Sequence, residues 1–154
     1  MKKIFITTAI AALFTANVFA FNGSKTTEDG SEKASYTAIT KFNNDFVRAE
    51  GATWKITSKF QKVTFILDDV KMSAFYNLKG EFIGVTQNVQ FKALPEKAKT
   101  EIAAKYVGYF AQEVIKLEGG DDTTSYFVDL KKDSEEVLLK VTPTANITVA
   151  KQIQ

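Results

Sequence analysis

The sequence contains no cysteine and no histidine, two prolines, one tryptophan and a single arginine, Arg48. Each scarcity excludes something. Without cysteine there is no disulfide framework, so stability must come from packing. Without histidine the commonest general base and the commonest transition-metal ligand are both missing. Neither Ser-x-x-Lys nor Gly-x-Ser-x-Gly occurs, which removes the familiar serine nucleophiles. The acidic pairs Asp68-Asp69 and Asp121-Asp122 are adjacent in sequence, as in turns. They lack the alternating oxygen ligands around a glycine that calcium loops require. The residues point away from catalysis and assign no cofactor and no metal site.

What is present begins with an export signature. Lys2 and Lys3 precede the apolar run Ile4 to Phe14, which is too short to span a bilayer, and Val18-Phe19-Ala20 carries the residues signal peptidase reads. Residues 1–20 are predicted to be a cleaved signal peptide, with no cysteine for lipid attachment. The full chain has 20 basic and 18 acidic residues, so losing Lys2 and Lys3 leaves 18 of each. A neutral product has no clustered basic face for nucleic acid or for an anionic membrane surface. The expected location is the periplasm or the medium, with no membrane association after cleavage.

Residues 21–33 form a polar leader, of which 22–33 contain no aliphatic or aromatic side chain and have nothing to bury. From Ser35, a plausible N-cap, Ile39, Phe42, Phe46 and Val47 recur at helical spacing until Gly51. The period then becomes two. Trp54, Ile56 and Phe60 alternate with Lys55, Thr57 and Lys59, and Val63, Phe65 and Leu67 with Lys62, Thr64 and Ile66. Two further strands are expected over Lys71 to Leu78 and Glu81 to Phe91, with turns at Asp68-Asp69 and Lys79-Gly80. Leu94-Pro95 opens a second helix with Ala98, Ile102, Tyr106 and Tyr109 on its buried side. Four strands follow: Glu113 to Leu117, Ser125 to Lys131, Glu136 to Thr142 and Ile147 to Ile153. Trp54 and Tyr106 read as core anchors.

The two halves, about 34–92 and 93–154, repeat one pattern. An offset of 60 sets Phe42, Phe46 and Trp54 over Ile102, Tyr106 and Val114. After five extra residues in the Gly119 to Thr123 turn, an offset of 65 sets Phe65 over Leu130, Phe82 over Ile147 and Gln87 over Gln152. Strand parity survives the shift. The expected fold is α+β: two αββββ units forming one antiparallel sheet packed on two helices.

With these features in this order, the chain over about 36–154 resembles the PepSY-like, beta-lactamase-inhibitor-like secreted proteins best known from Bacteroidetes. The resemblance is carried by Phe42 and Phe46 in the first helix, Trp54 opening the first strand, and Val63-Thr64-Phe65-Ile66-Leu67. The hairpin Ala74 to Phe82 and Leu94-Pro95 with Ile102 and Tyr106 complete it. Asn77 and Lys79 stand where that family often has an acidic residue, which argues against a cation there. The resemblance implies a tandem helix-and-sheet fold and a role as binder or inhibitor of another exported protein.

If Trp54, Val63, Phe65 and Leu67 face the helices, the opposite face carries Lys59, Lys62 and Thr64. It also carries Ile66, Phe75 and, by the repeat, Phe127. Aromatics on a lysine- and threonine-rich face predict a partner-binding surface comprising Ile66, Phe75, Phe127, Lys59 and Lys62. The leading reading is an exported, non-catalytic binding module with an unidentified secreted or envelope protein as partner. A carrier holding a small apolar ligand between sheet and helices is the alternative, since ten phenylalanines remain after residue 20.

Overall fold

The computed structural model describes residues 33–153. The expected signal peptide and all of the polar leader except Lys33 lie outside the described residues. Within them the order is α1 (Tyr36–Asp45), β1 (Glu50–Ile56), β2 (Gln61–Leu67), β3 (Val70–Tyr76) and β4 (Phe82–Asn88). A 3₁₀ turn (Phe91–Ala93) follows, then α2 (Glu96–Lys105), β5 (Phe110–Gly119), β6 (Thr124–Lys132), β7 (Glu135–Val141) and β8 (Ile147–Ile153). The eight strands form one antiparallel sheet in sequence order, β1 to β8. Each half is a helix followed by a four-stranded meander, and β4 joins β5 to make the sheet continuous.

Both helices are ten residues long, too short to be stable alone in water, so packing must hold them. The Ser35 side chain accepts from the Ala38 N–H and caps α1. At the other end Phe46 and Tyr106 occupy the same place in the two units. Each follows the last helical residue with φ near −115° and ψ near 55°, and donates its N–H to the carbonyl four residues back, Phe42 or Ile102. The offset of 60 therefore corresponds to a shared local geometry as well as a shared pattern.

The helices cover one face of the sheet. From α1, Phe42 packs onto Trp54, Val63, Phe65, Ala74 and Tyr76 of the sheet. Phe42 is the hub, its ring 5.0 Å from Phe65, 5.5 Å from Phe46 and 5.8 Å from Trp54. From α2, Ala98 and Ile102, with Leu94 just before the helix, join Val114, Val128, Leu130, Val137 and Leu139 of the sheet in one cluster. Trp54 is buried as expected, whereas Tyr106 is half-buried and packs at the margin of the α2 cluster. A surface groove of about 530 Å³ lies elsewhere, at the end of the sheet, lined by Val47, Arg48, Ala49, Glu50, Ile66, Asp68 and Asp69.

One polar side chain ties the first unit together. Gln61, 2% exposed, accepts from the Ser35 N–H at 2.6 Å and donates to Ser35 Oγ at 3.0 Å and to the Asn77 carbonyl at 2.7 Å. Helix cap, β2 and the β3–β4 hairpin thus meet at one amide. The hairpin approaches closely because Gly80 has no side chain: at φ +86°, a Cβ there would lie 2.7 Å from the Ala38 nitrogen.

Phe60 departs from expectation. The alternation places it on the helix side, but Thr57 to Phe60 form a turn, with the Thr57 N–H donating to the Phe60 carbonyl at 2.9 Å. The turn resets the parity, and Phe60 packs on the opposite face against Phe75, with ring centroids 5.7 Å apart. The acidic pairs are in turns. Asp68 and Asp69 have φ of 49° and 64°, and Asp121 Oδ1 accepts from Thr123 Oγ1 at 2.6 Å.

Candidate functional site: the helix-free face of the sheet

Register fixes which side chains share the face opposite the helices. From Lys62 opposite Phe75, Phe75 opposite Gly84, Ile115 opposite Phe127 and Phe127 opposite Lys140, the face runs continuously from β2 to β7. It has an apolar floor of Phe60, Phe75, Ile115, Leu117, Phe127 and Leu138. Around the floor stand Lys55, Lys62, Thr64, Ser73, Glu113, Asp129 and Lys140.

The structure places the expected site residues unequally. Phe75, Phe127 and Lys62 come together, with the Lys62 ammonium 5.8 Å from the centre of the Phe75 ring. Phe75 and Phe127 are not exposed, however: they are 0% and 3% accessible. The reason is local. Gly84 beside Phe75 has no side chain, and Leu117 of β5 leans across it, its Cδ1 3.2 Å from where a Cβ would stand. With Phe60 folded over from the turn, these residues close a second small core without a helix above it. Lys59 is exposed in the Thr57–Phe60 turn, and Ile66, 46% exposed, lies at the far end of β2 beside the groove. Ile66 therefore stands apart from the aromatic floor.

Sequence reasoning passed over the acidic side of this face. Asp129, 3% exposed, lies directly opposite Glu113 on β5 and opposite Leu138 on β7. Burial, reinforced by Glu136 and Glu113 and opposed by Lys131, pushes the Asp129 carboxyl up to about 6. Burial also raises Glu113, against a hydrogen bond from Asn88 Nδ2 at 2.6 Å and the attraction of Lys62. Lys62 is in turn lowered, first by burial and then by Lys55 and Lys71. The available signal was an aspartate within the otherwise apolar run Phe127-Val128-Asp129-Leu130, which parity places on the open face.

The raised carboxyl has a consequence for stability. Between pH 3.8, the ordinary value, and about 6 the folded state binds more protons than the unfolded state. Stability contributed here therefore falls as pH rises through that window. Asp129→Asn is expected to raise the unfolding free energy at pH 7 by about 2 kcal/mol and to flatten its slope between pH 4 and 6. Urea titrations at four pH values measure both.

Among the described residues, no group of three or more metal-ligating side chains occurs, and no helix is long and apolar enough to cross a membrane. Geometry defines the class first: a duplicated helix-and-meander protein with both helices on one face of its single sheet and a small helix-free core on the other. Solved structures similar to this chain include three from Bacteroides. A DUF2874 family protein from Bacteroides uniformis superposes with a TM-score of 0.70 at 14% identity, covering 78% of this chain and 88% of that one. A candidate periplasmic protein from Bacteroides eggerthii gives 0.69 at 13%, over 78% and 88%. A BLIP-like protein from Bacteroides fragilis gives 0.67 at 13%, over 78% and 86%. The fold is thus the beta-lactamase-inhibitor-like one that the sequence resembles. No family model matches the chain, and no curated protein matches it.

Proposed function

We propose that this chain is an exported, non-catalytic binding module, acting in the periplasm or beyond, whose partner docks on the helix-free face of the sheet. The observation that carries the reading is the composition of that face. A buried aromatic and aliphatic core with no helix above it backs a surface of lysine and hydroxyl side chains, Lys62, Thr64, Ser73 and Lys140. A stiff backing of this kind holds polar contact residues in fixed positions, which lowers the ordering cost of docking. The buried floor supplies shape and stiffness, while Lys62, Thr64, Ser73 and Lys140 above it supply the contacts. The predicted signal peptide and the fold shared with a BLIP-like protein support export and an inhibitory or regulatory role toward a secreted or envelope protein.

The test uses two charge-and-bulk variants. Thr64→Arg combined with Lys140→Glu alters the helix-free face, and Lys97→Glu combined with Thr100→Arg alters the exposed surface of α2. Captured from envelope extract, the specific partner should be lost with the first variant and retained with the second. Retention by both would refute the assignment of the face.

A further inference from the structure

Register sorts the charges of the first unit onto one side. Strands β1–β4 contain three lysines and one carboxylate, Glu50. Lys55 lies directly opposite Lys62, and Lys71 opposite Ile66, so all three lysines stand on the helix-free face. Glu50 is at the far end, beyond the irregularity in β1. The zero net charge left after residue 20 thus hides an uneven distribution. Like charges set directly opposite one another destabilise a sheet, so the fold gains nothing from the Lys55–Lys62 pair. Nor is that charge balanced internally. Among the described residues the ion pairs are Lys41–Asp45, Arg48–Asp68, Glu96–Lys99 and Lys116–Glu118, and none includes Lys55 or Lys62. Lys62 is held below the ordinary lysine range first by burial and then by Lys55 and Lys71, with Glu113 a weaker opposing influence.

Between Lys62 and Lys71 runs a row of hydroxyls: Thr53 opposite Thr64, Thr64 opposite Ser73, and Ser73 opposite Thr86. Thr64 Oγ1 and Ser73 Oγ are 3.1 Å apart. Lys55, Thr53 and Lys71 are exposed and Lys62, Thr64 and Ser73 half-buried, so the row and its lysines meet solvent. The buried Phe75 ring, 5.8 Å from the Lys62 ammonium, holds that charge in place.

We infer that the lysine-and-hydroxyl surface of β1–β3 receives an acidic segment of the partner, with Asp or Glu side chains at alternate positions. This rests on the reading of the helix-free face as the docking surface. Ammonium and hydroxyl groups both donate to carboxylate oxygens. Alternate residues of an extended segment stand about 7 Å apart, the spacing of successive rows from Lys62 to Thr64 to Ile66. Carboxylates laid across these rows offset the Lys55–Lys62 repulsion that the chain alone leaves in place. Three lysines suit a few carboxylates, whereas nucleic acid calls for a far larger basic face.

The probe is N-acetyl-Glu-Thr-Glu-Thr-Glu-amide, with Gln in place of each Glu as the neutral control, titrated at low salt into the ¹⁵N-labelled exported chain. The acidic peptide should shift the amide signals of Lys55, Thr64, Lys71 and Ser73 saturably and leave those of Lys97 and Lys105, exposed on α2, in place. The neutral peptide should shift neither set. Lys55→Gln combined with Lys62→Gln and Lys71→Gln, confirmed folded by its amide spectrum, should weaken binding about tenfold, as expected for three accessible ion pairs. Equal shifts on α2, equal responses to the two peptides, or unchanged affinity in the triple variant would overturn the inference. So would a sulfated oligosaccharide that binds this face where the peptide does not. The probe needs no partner, so its failure beside a face-dependent capture removes only the acidic-segment assignment. Probe binding beside face-independent capture removes the docking reading.

Discussion

Phe75→Ala is expected to destabilise the protein by about 3–5 kcal/mol, measured by urea unfolding. Phe75 is fully buried, stacks edge-on with Phe60 at 5.7 Å and lies beneath the Lys62 stem. Truncation would leave a phenyl-sized hole that Leu117 and Ile115 cannot fill without moving their strands, since β4 and β5 are held in register through Gly84 and Gly119. Ile66→Ala, at a half-exposed position, should cost less than about 1 kcal/mol. A small loss at Phe75 would mean that the helix-free face is loosely packed, and the rigid floor proposed for docking would not exist.

Gln61→Ala is expected to cost about 3 kcal/mol by the same measurement, although the side chain it removes is polar. The change leaves the Ser35 N–H without its acceptor and the Asn77 carbonyl without its donor, and removes the donor to Ser35 Oγ. Those groups sit where the α1 cap, β2 and the β3–β4 hairpin converge, and Gly80 brings the hairpin too close for water to replace the amide easily. Gln61→Glu separates the causes. It keeps the acceptor for the Ser35 N–H but loses both donations, so it should recover only part of the loss. A cost below about 1 kcal/mol for Gln61→Ala would show that the three elements are held by the aromatic cluster alone.

Much of this architecture is legible in the sequence, and the failures have identifiable causes. The period-two strands and the two helices follow from side-chain spacing, and β8 coincides with its expectation, Ile147 to Ile153. The first helix stops at Asp45, short of Gly51, because Phe46 leaves helical geometry to cap it. Parity alone assigns Phe75, Ile66 and Phe127 to one face correctly. It cannot report that this face has its own core, because burial of Phe75 depends on a glycine on the neighbouring strand and on a turn that redirects Phe60. Nor does alternation reveal that Asp129 and Glu113 meet, since their pairing follows from the register of β5 and β6, including its irregularity between Ala111 and Glu113. The polar network at Gln61 joins residues 26 and 16 positions apart and has no local signature.

The central claim is that the helix-free face meets the partner. A photo-crosslinking side chain installed at Thr64, on that face, can be compared with one at Thr100, exposed on α2, after illumination of intact cells that export the chain. The account predicts a discrete, saturable adduct from position 64 and none from position 100. The same adduct from both positions, or an adduct from position 100 alone, would contradict it.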